Sequence, residues 1–225
     1  MLCLIEFVGL PGTGKTTLAS GVREALQKAG VHCAYPKEAG AAVVSTVTVA
    51  AGNIPFLFRM FRFAAKNRRK AVSKRVLATW LYVAKENRRL RDSGRETNLL
   101  LIRDQGFLQD LLSIAHDRPI KWLGNLSALL KDAYGSYDCM VVIHTLLSHE
   151  DNIVRLRRRN SELSRADRME SPALRKLLAC QEKNADAVLQ KIPYHIIEVH
   201  TEKSGSEALS ISVAEQIIRI VEDAQ

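Results

Sequence analysis

The chain has 225 residues, the size of one large α/β domain, and no Pro/Gly/Ser-rich linker divides it. Its hydrophobic content of 47% is ordinary for a globular protein that buries a full core. The net charge of +9 comes from local clusters at Lys66–Arg75, Arg88–Arg95 and Arg155–Arg159. Such runs are solvated helix faces, or they meet phosphates, an acidic acceptor or nucleic acid. Cys3, Cys33, Cys139 and Cys180 form no C-x-x-C pair and no metal-ligand spacing, which fits a reduced, cytoplasmic setting.

The apolar run from Leu2 to Val8 has no basic leader and reads as a buried strand, not a signal peptide. It runs into Gly9-Leu10-Pro11-Gly12-Thr13-Gly14-Lys15-Thr16, which fits the phosphate-binding loop pattern G-x-x-x-x-G-K-S/T at every fixed position. Thr17-Leu18-Ala19 opens a helix behind it. Glycines let the backbone form a nest of N–H groups aimed at phosphate oxygens, and the helix adds its positive end. Lys15 reaches the β- and γ-phosphates, and the Thr16 hydroxyl ligates Mg²⁺. The spacing predicts a nucleoside triphosphate on residues Gly9 and Pro11 to Thr17.

Thr16–Ala29 reads as a helix stopped by Gly30, and Val31–Tyr35 as a short strand ended by Pro36-Lys37-Glu38. Ala39–Phe58 is uncharged over 20 residues, the length of a membrane span. Gly52, Asn53 and Pro55 break it, so two buried helices around a turn are expected and no span. Helices follow at 41–51, 55–66 and 69–92, then a third strand at 98–103. Helices at 106–116 and 120–134 precede a fourth strand, Cys139–Ile143. Ser148 caps a helix through Arg159, and Ser171-Pro172 starts another to about Gln190. A fifth strand at 194–199 and a helix at 206–223 close a single domain. Apolar strands alternating with helices indicate a parallel sheet covered on both faces, with ligands beyond the carboxyl ends of the strands.

Two acids stand at those ends. Asp104 closes the third strand, where a carboxylate addresses Mg²⁺ or its waters, or takes a proton from an attacking hydroxyl. A helix N-cap is the plainer role for it, since a helix follows directly. Glu38 follows the second strand and is the competing base. Arg155 to Arg159, continued by Ser164 to Arg168, supplies arginines that could fold over a nucleotide and stabilise transferring phosphate.

Together these features resemble the thymidylate-kinase-like branch of phosphate-loop nucleoside and nucleotide kinases. The resemblance rests on Phe7–Thr16, on Pro36-Lys37-Glu38, on Leu81–Arg88, on Asp104-Gln105-Gly106 and on Arg155–Arg159 with Asp167-Arg168-Met169-Glu170. It implies a five-stranded parallel core of order 2-3-1-4-5, an arginine-rich lid at 155–170 and an acceptor-side helical region at 41–92. It also implies Mg²⁺-dependent transfer of the γ-phosphoryl group of ATP, with Arg155 or Arg159 neutralising charge. Gln105 stands where the family places an arginine that holds an acceptor phosphate, and a neutral amide cannot supply that charge. A nucleoside or another small alcohol then fits as acceptor as well as a nucleotide does, unless Arg62, Arg68 or Arg88 substitutes.

Two other readings compete. An ATPase would carry a glutamate at position 105, and a guanine-specific switch would carry Asn-Lys-x-Asp late in the sheet; the chain has neither. The basic 66–75 cluster suggests a polynucleotide kinase or nucleic-acid-binding protein, yet no aromatic is interleaved there. The apolar 41–58 segment serves either as core or as the surface of a homodimer.

Overall fold

Side-chain alternation along the first strand, β1 (Leu2–Gly9), sets the layers of the molecule. In the computed structural model the described residues are 1–34, 54–67, 81, 83, 99–115, 118–121, 126–158, 166, 169–202 and 207–225. β1 lies at the centre of a parallel sheet, between β3 (Leu99–Arg103) and β4 (Cys139–Leu146), and β5 (His195–His200) extends β4. β2 (Cys33–Ala34) pairs outside β3, so the order is β2-β3-β1-β4-β5.

One strand departs from expectation. Of the segment read as Val31–Tyr35, the described residues Cys33 and Ala34 join the ladder, opposite Leu100 and Leu101, and Tyr35 lies outside the described residues. Four strands of five residues or more therefore carry the sheet, in the order β3-β1-β4-β5, and β2 is a two-residue edge.

Odd-numbered residues of β1 face α1 (Lys15–Lys28) and α7 (Glu207–Asp223). There Cys3, Ile5 and Phe7 pack with Leu18, Val22, Leu26, Val213 and Ile217. Even-numbered residues face α2 (Ile54–Asn67), α3 (Phe107–Ala115), α4 (Leu126–Tyr134) and α6 (Ser171–Leu189), with Leu4 and Val8 packed among Phe56, Met60, Phe107, Leu129 and Val188. A smaller cluster joins Leu10 of the loop to Leu156 of α5 (His149–Arg158) and to Leu174 and Leu177 of α6.

Several boundaries follow local chemistry. Gly30 ends α1 with a positive φ of 77°, as its glycine predicts. Ser148 caps α5: its hydroxyl accepts the Asp151 N–H at 3.1 Å and donates to the Asp151 carboxylate at 2.6 Å. Glu170 is the N-cap residue of α6, and Pro172 sits in its first turn, where a missing N–H costs nothing. The helix expected from residue 120 begins at Leu126. The Ile120 N–H donates instead to the Asn184 side chain, which itself donates to the Arg118 carbonyl. The predicted helices at 41–51 and 69–92 lie outside the described residues, apart from helical Leu81 and Val83. Among the described residues no helix is long and apolar enough to cross a membrane.

Candidate active site

The glycine spacing read from the sequence produces a curled loop. Gly12 and Gly14 have φ of 90° and 86°, in the left-handed region that side chains disfavour. A Cβ on Gly12 would also run into the Asn152 amide and Leu156 of α5. Gly14 caps α1 without a side chain, so the first-turn amides and the positive helix end are presented outward. Thr13 is fully buried; its hydroxyl donates to the Leu10 carbonyl at 2.9 Å and lies 2.7 Å from the Thr145 hydroxyl at the end of β4. Lys15 is buried as well, and its ammonium donates to the Gly9 and Leu10 carbonyls at 2.8 Å each. That places a cation inside the curl, with rotatable donors able to turn toward an anion.

β3 delivers Asp104 to the front of this loop. The Thr16 hydroxyl donates to the Asp104 carboxylate at 3.1 Å. α3 begins only at Phe107, and the Leu108 N–H of its first turn is taken by the Glu6 carboxylate at 2.6 Å. Asp104 is therefore not the cap of α3. On the same turn, Gln109 accepts the Gly9 N–H at 3.2 Å, which ties α3 to the phosphate loop.

On the other side, α5 brings Arg155 beside Gly14. The guanidinium donates to the Thr201 carbonyl just past β5 at 2.6 Å. Between α1 and α7 runs an open groove of about 680 Å³, lined by Gly14, Thr17, Gly21, Thr201, Glu207 and Ser210 among others. This volume lies in the range of small-molecule sites.

Three buried charged or imidazole side chains of the strands, Glu6, Arg103 and His144, lie on the sheet face away from that groove. Glu6 is fully buried, and burial raises its pKa above the usual carboxylate range, while Arg103 and the bonds from Tyr134 and the Leu108 N–H pull it back. Tyr134 donates to Glu6 at 2.6 Å, and Arg103 donates to the Tyr137 hydroxyl at 2.9 Å. Burial lowers the His144 pKa, against Glu198, Asp186 and Glu182, which favour its charged form.

No family model matches the chain, and no curated protein matches it in sequence. Solved structures match its fold across nearly the whole length. YorR from Bacillus subtilis, solved with phosphorylated GDP, is 18% identical with a TM-score of 0.50, covering 97% of this chain and 95% of that one. The two chains share one fold. Deoxyadenosine kinase from M. mycoides with dCTP matches at 13% identity and a TM-score of 0.45, over 96% of this chain and 98% of that one. A sugar kinase from Janibacter sp. matches at 15% identity and a TM-score of 0.42, over 100% and 98%.

Within this fold, the loop from Gly9 to Thr17 lies between Asp104, bonded to Thr16, and Arg155, beside Gly14. Arg62 is exposed on α2 and Gln105 is exposed beyond β3. Glu38, Arg88 and Arg159 lie outside the described residues, as does most of the 66–75 cluster. Sequence reading missed Glu6, Gln109, Asn152, Thr145 and Thr201. Glu6 alone left a signal, as the one charged residue in an otherwise apolar strand.

Proposed function

We propose that this chain is a phosphotransferase that moves the γ-phosphoryl group of ATP to a hydroxyl of a small acceptor, namely a nucleoside, a nucleotide or another alcohol. The observation that carries the proposal is the hydrogen bond from Thr16 to Asp104, which joins the phosphate-loop hydroxyl to a strand-end carboxylate. An all-oxygen donor set of this kind suits Mg²⁺, which keeps several waters and takes only one or two carboxylates. Among the described residues no group of three or more His, Cys, Asp or Glu stands together to hold a metal ion, so protein ligands here would be few. Thr16 and Asp104 would hold the ion, and when bound it would neutralise phosphate charge.

The loop amides from Pro11 to Thr17 cradle the phosphates, and Lys15 adds its charge to them. Asp104 orients the acceptor hydroxyl or takes its proton, with Glu38 the competing base. Arg155 and Arg159 neutralise charge on the transferring group, while Arg62, Arg88 and Gln105 belong to the acceptor side. The nucleotide base would lie in the groove lined by Gly14, Thr17 and Thr201. Ile54, Phe58 and Phe61 form an exposed stripe on α2, in keeping with a homodimer, which sedimentation across concentrations would test. The free thiols fit the cytoplasm.

Phosphorus NMR of ATP·Mg²⁺ with pooled nucleosides, nucleoside monophosphates or sugar-like alcohols tests the reading, with Lys15→Ala beside it. The expected result is ADP plus a new phosphoester in one pool, reduced at least ~100-fold in the variant. ADP plus free phosphate in every tube would assign the site to water and overturn the kinase reading.

A further inference from the structure

We propose that Glu6 is a positioning residue for the site: its buried carboxylate grips the turn between β3 and α3 through the Leu108 N–H and Gly106, and so holds Asp104 against Thr16. The inference rests on the reading above that Asp104 and Thr16 serve Mg²⁺-assisted phosphoryl chemistry.

The geometry is specific. Glu6 stands opposite Arg103 in the β1–β3 register, one residue before Asp104. It occupies the same face as Leu2, Leu4 and Val8, where an apolar side chain would fill the space without electrostatic cost. A buried carboxylate is expensive unless it is fully bonded. Here it accepts the Leu108 N–H and the Tyr134 hydroxyl, both at 2.6 Å, and lies at the positive end of α3.

Gly106 supplies the independent observation. A Cβ at this position would run into the carbon and both oxygens of the Glu6 carboxylate, so the turn reaches its place only because residue 106 has no side chain. The same turn carries Gln109, bonded to Gly9 of the phosphate loop. One carboxylate therefore sits beneath a segment whose ends address Asp104 on one side and the loop on the other. Glu6 touches no reacting atom and acts through this turn.

The test measures the affinity of a fluorescent ATP analogue with Mg²⁺ and with EDTA, for the wild-type chain, Glu6→Gln, Gly106→Ala, Glu6→Ala/Gly106→Ala, Glu6→Ala and Asp104→Asn. Circular dichroism reports whether each is folded. We expect Gly106→Ala and Glu6→Gln to lose at least ~5-fold of the Mg²⁺-dependent gain in affinity, with the EDTA value within ~2-fold of wild type. The effect of Gly106→Ala should shrink to under ~2-fold in the Glu6→Ala background, because the collision is gone. Should Gly106→Ala fail to fold, the shape-conserving Glu6→Gln decides. Equal losses with Mg²⁺ and EDTA, or no loss in either, overturn the positioning role. If Asp104→Asn abolishes the gain while the Glu6 and Gly106 variants keep it, the site reading stands and only the positioning role fails. If Asp104→Asn keeps the gain, the reading of Asp104 fails and the positioning role falls with it.

Discussion

The two faces of the sheet are built from the same strands but to different rules. Toward α1 and α7, β1, β3 and β4 present Cys3, Ile5, Phe7, Leu100, Ile102, Val141 and Ile143, all apolar. Toward α3, α4 and α6, the same strands interleave Leu4, Leu101 and Val142 with buried Glu6, Arg103 and His144. Burying ionisable groups is costly, so a face that carries three of them must hold each in a defined hydrogen-bonded or packed place. The apolar face supports the helix behind the phosphate loop; the polar face sets the turn that carries Asp104. A scaffold and a positioning device thus share one sheet.

Neighbouring residues of β1 offer the largest test of that division. Ile5→Ala removes a fully buried side chain from the apolar face and should cost about 2–5 kcal/mol in denaturant unfolding. Its Mg²⁺-dependent gain in ATP affinity, measured on folded protein, should stay at the wild-type value. A lost gain would break the comparison, since the apolar face would then reach the metal side of the site.

Tyr134→Phe should have a smaller effect on stability, about 1–3 kcal/mol, because one donor to a buried carboxylate disappears while the ring contacts with Phe107 and Tyr194 remain. The same variant should weaken the Mg²⁺-dependent gain, unlike Ile5→Ala. An unchanged gain beside a clear stability loss would reduce the Glu6 cluster to a core feature.

The smallest effect concerns His144. Burial holds its pKa below the ordinary 6.5, so the fold prefers the neutral ring. That contribution is complete above pH 6.5 and is lost as pH falls through the lower folded value. Glu198, Asp186 and Glu182 offset part of it, and Lys15 adds to it. The melting temperature should therefore fall as pH drops below about 6.5, by an increment missing from His144→Gln. Identical profiles for both chains would remove His144 from the acid response.

Local pattern in the sequence was sufficient for the phosphate loop, for the strand–helix alternation and for Asp104 at a strand end. These features depend on residues a few positions apart: the glycines that permit the curl, the apolar run that enters it, and the Gly30 and Ser148 helix ends. The tertiary structure alone decided which partner Asp104 and Glu6 each bond. Asp104 is freed for Thr16 because Glu6, 102 positions from Leu108, caps α3 in its stead. Arg155 reaches Gly14 only because its guanidinium is anchored on Thr201, 46 positions on. Periodicity along a chain reports which face a residue takes, whereas its partner across the sheet is set by strand register and order, which local pattern does not contain.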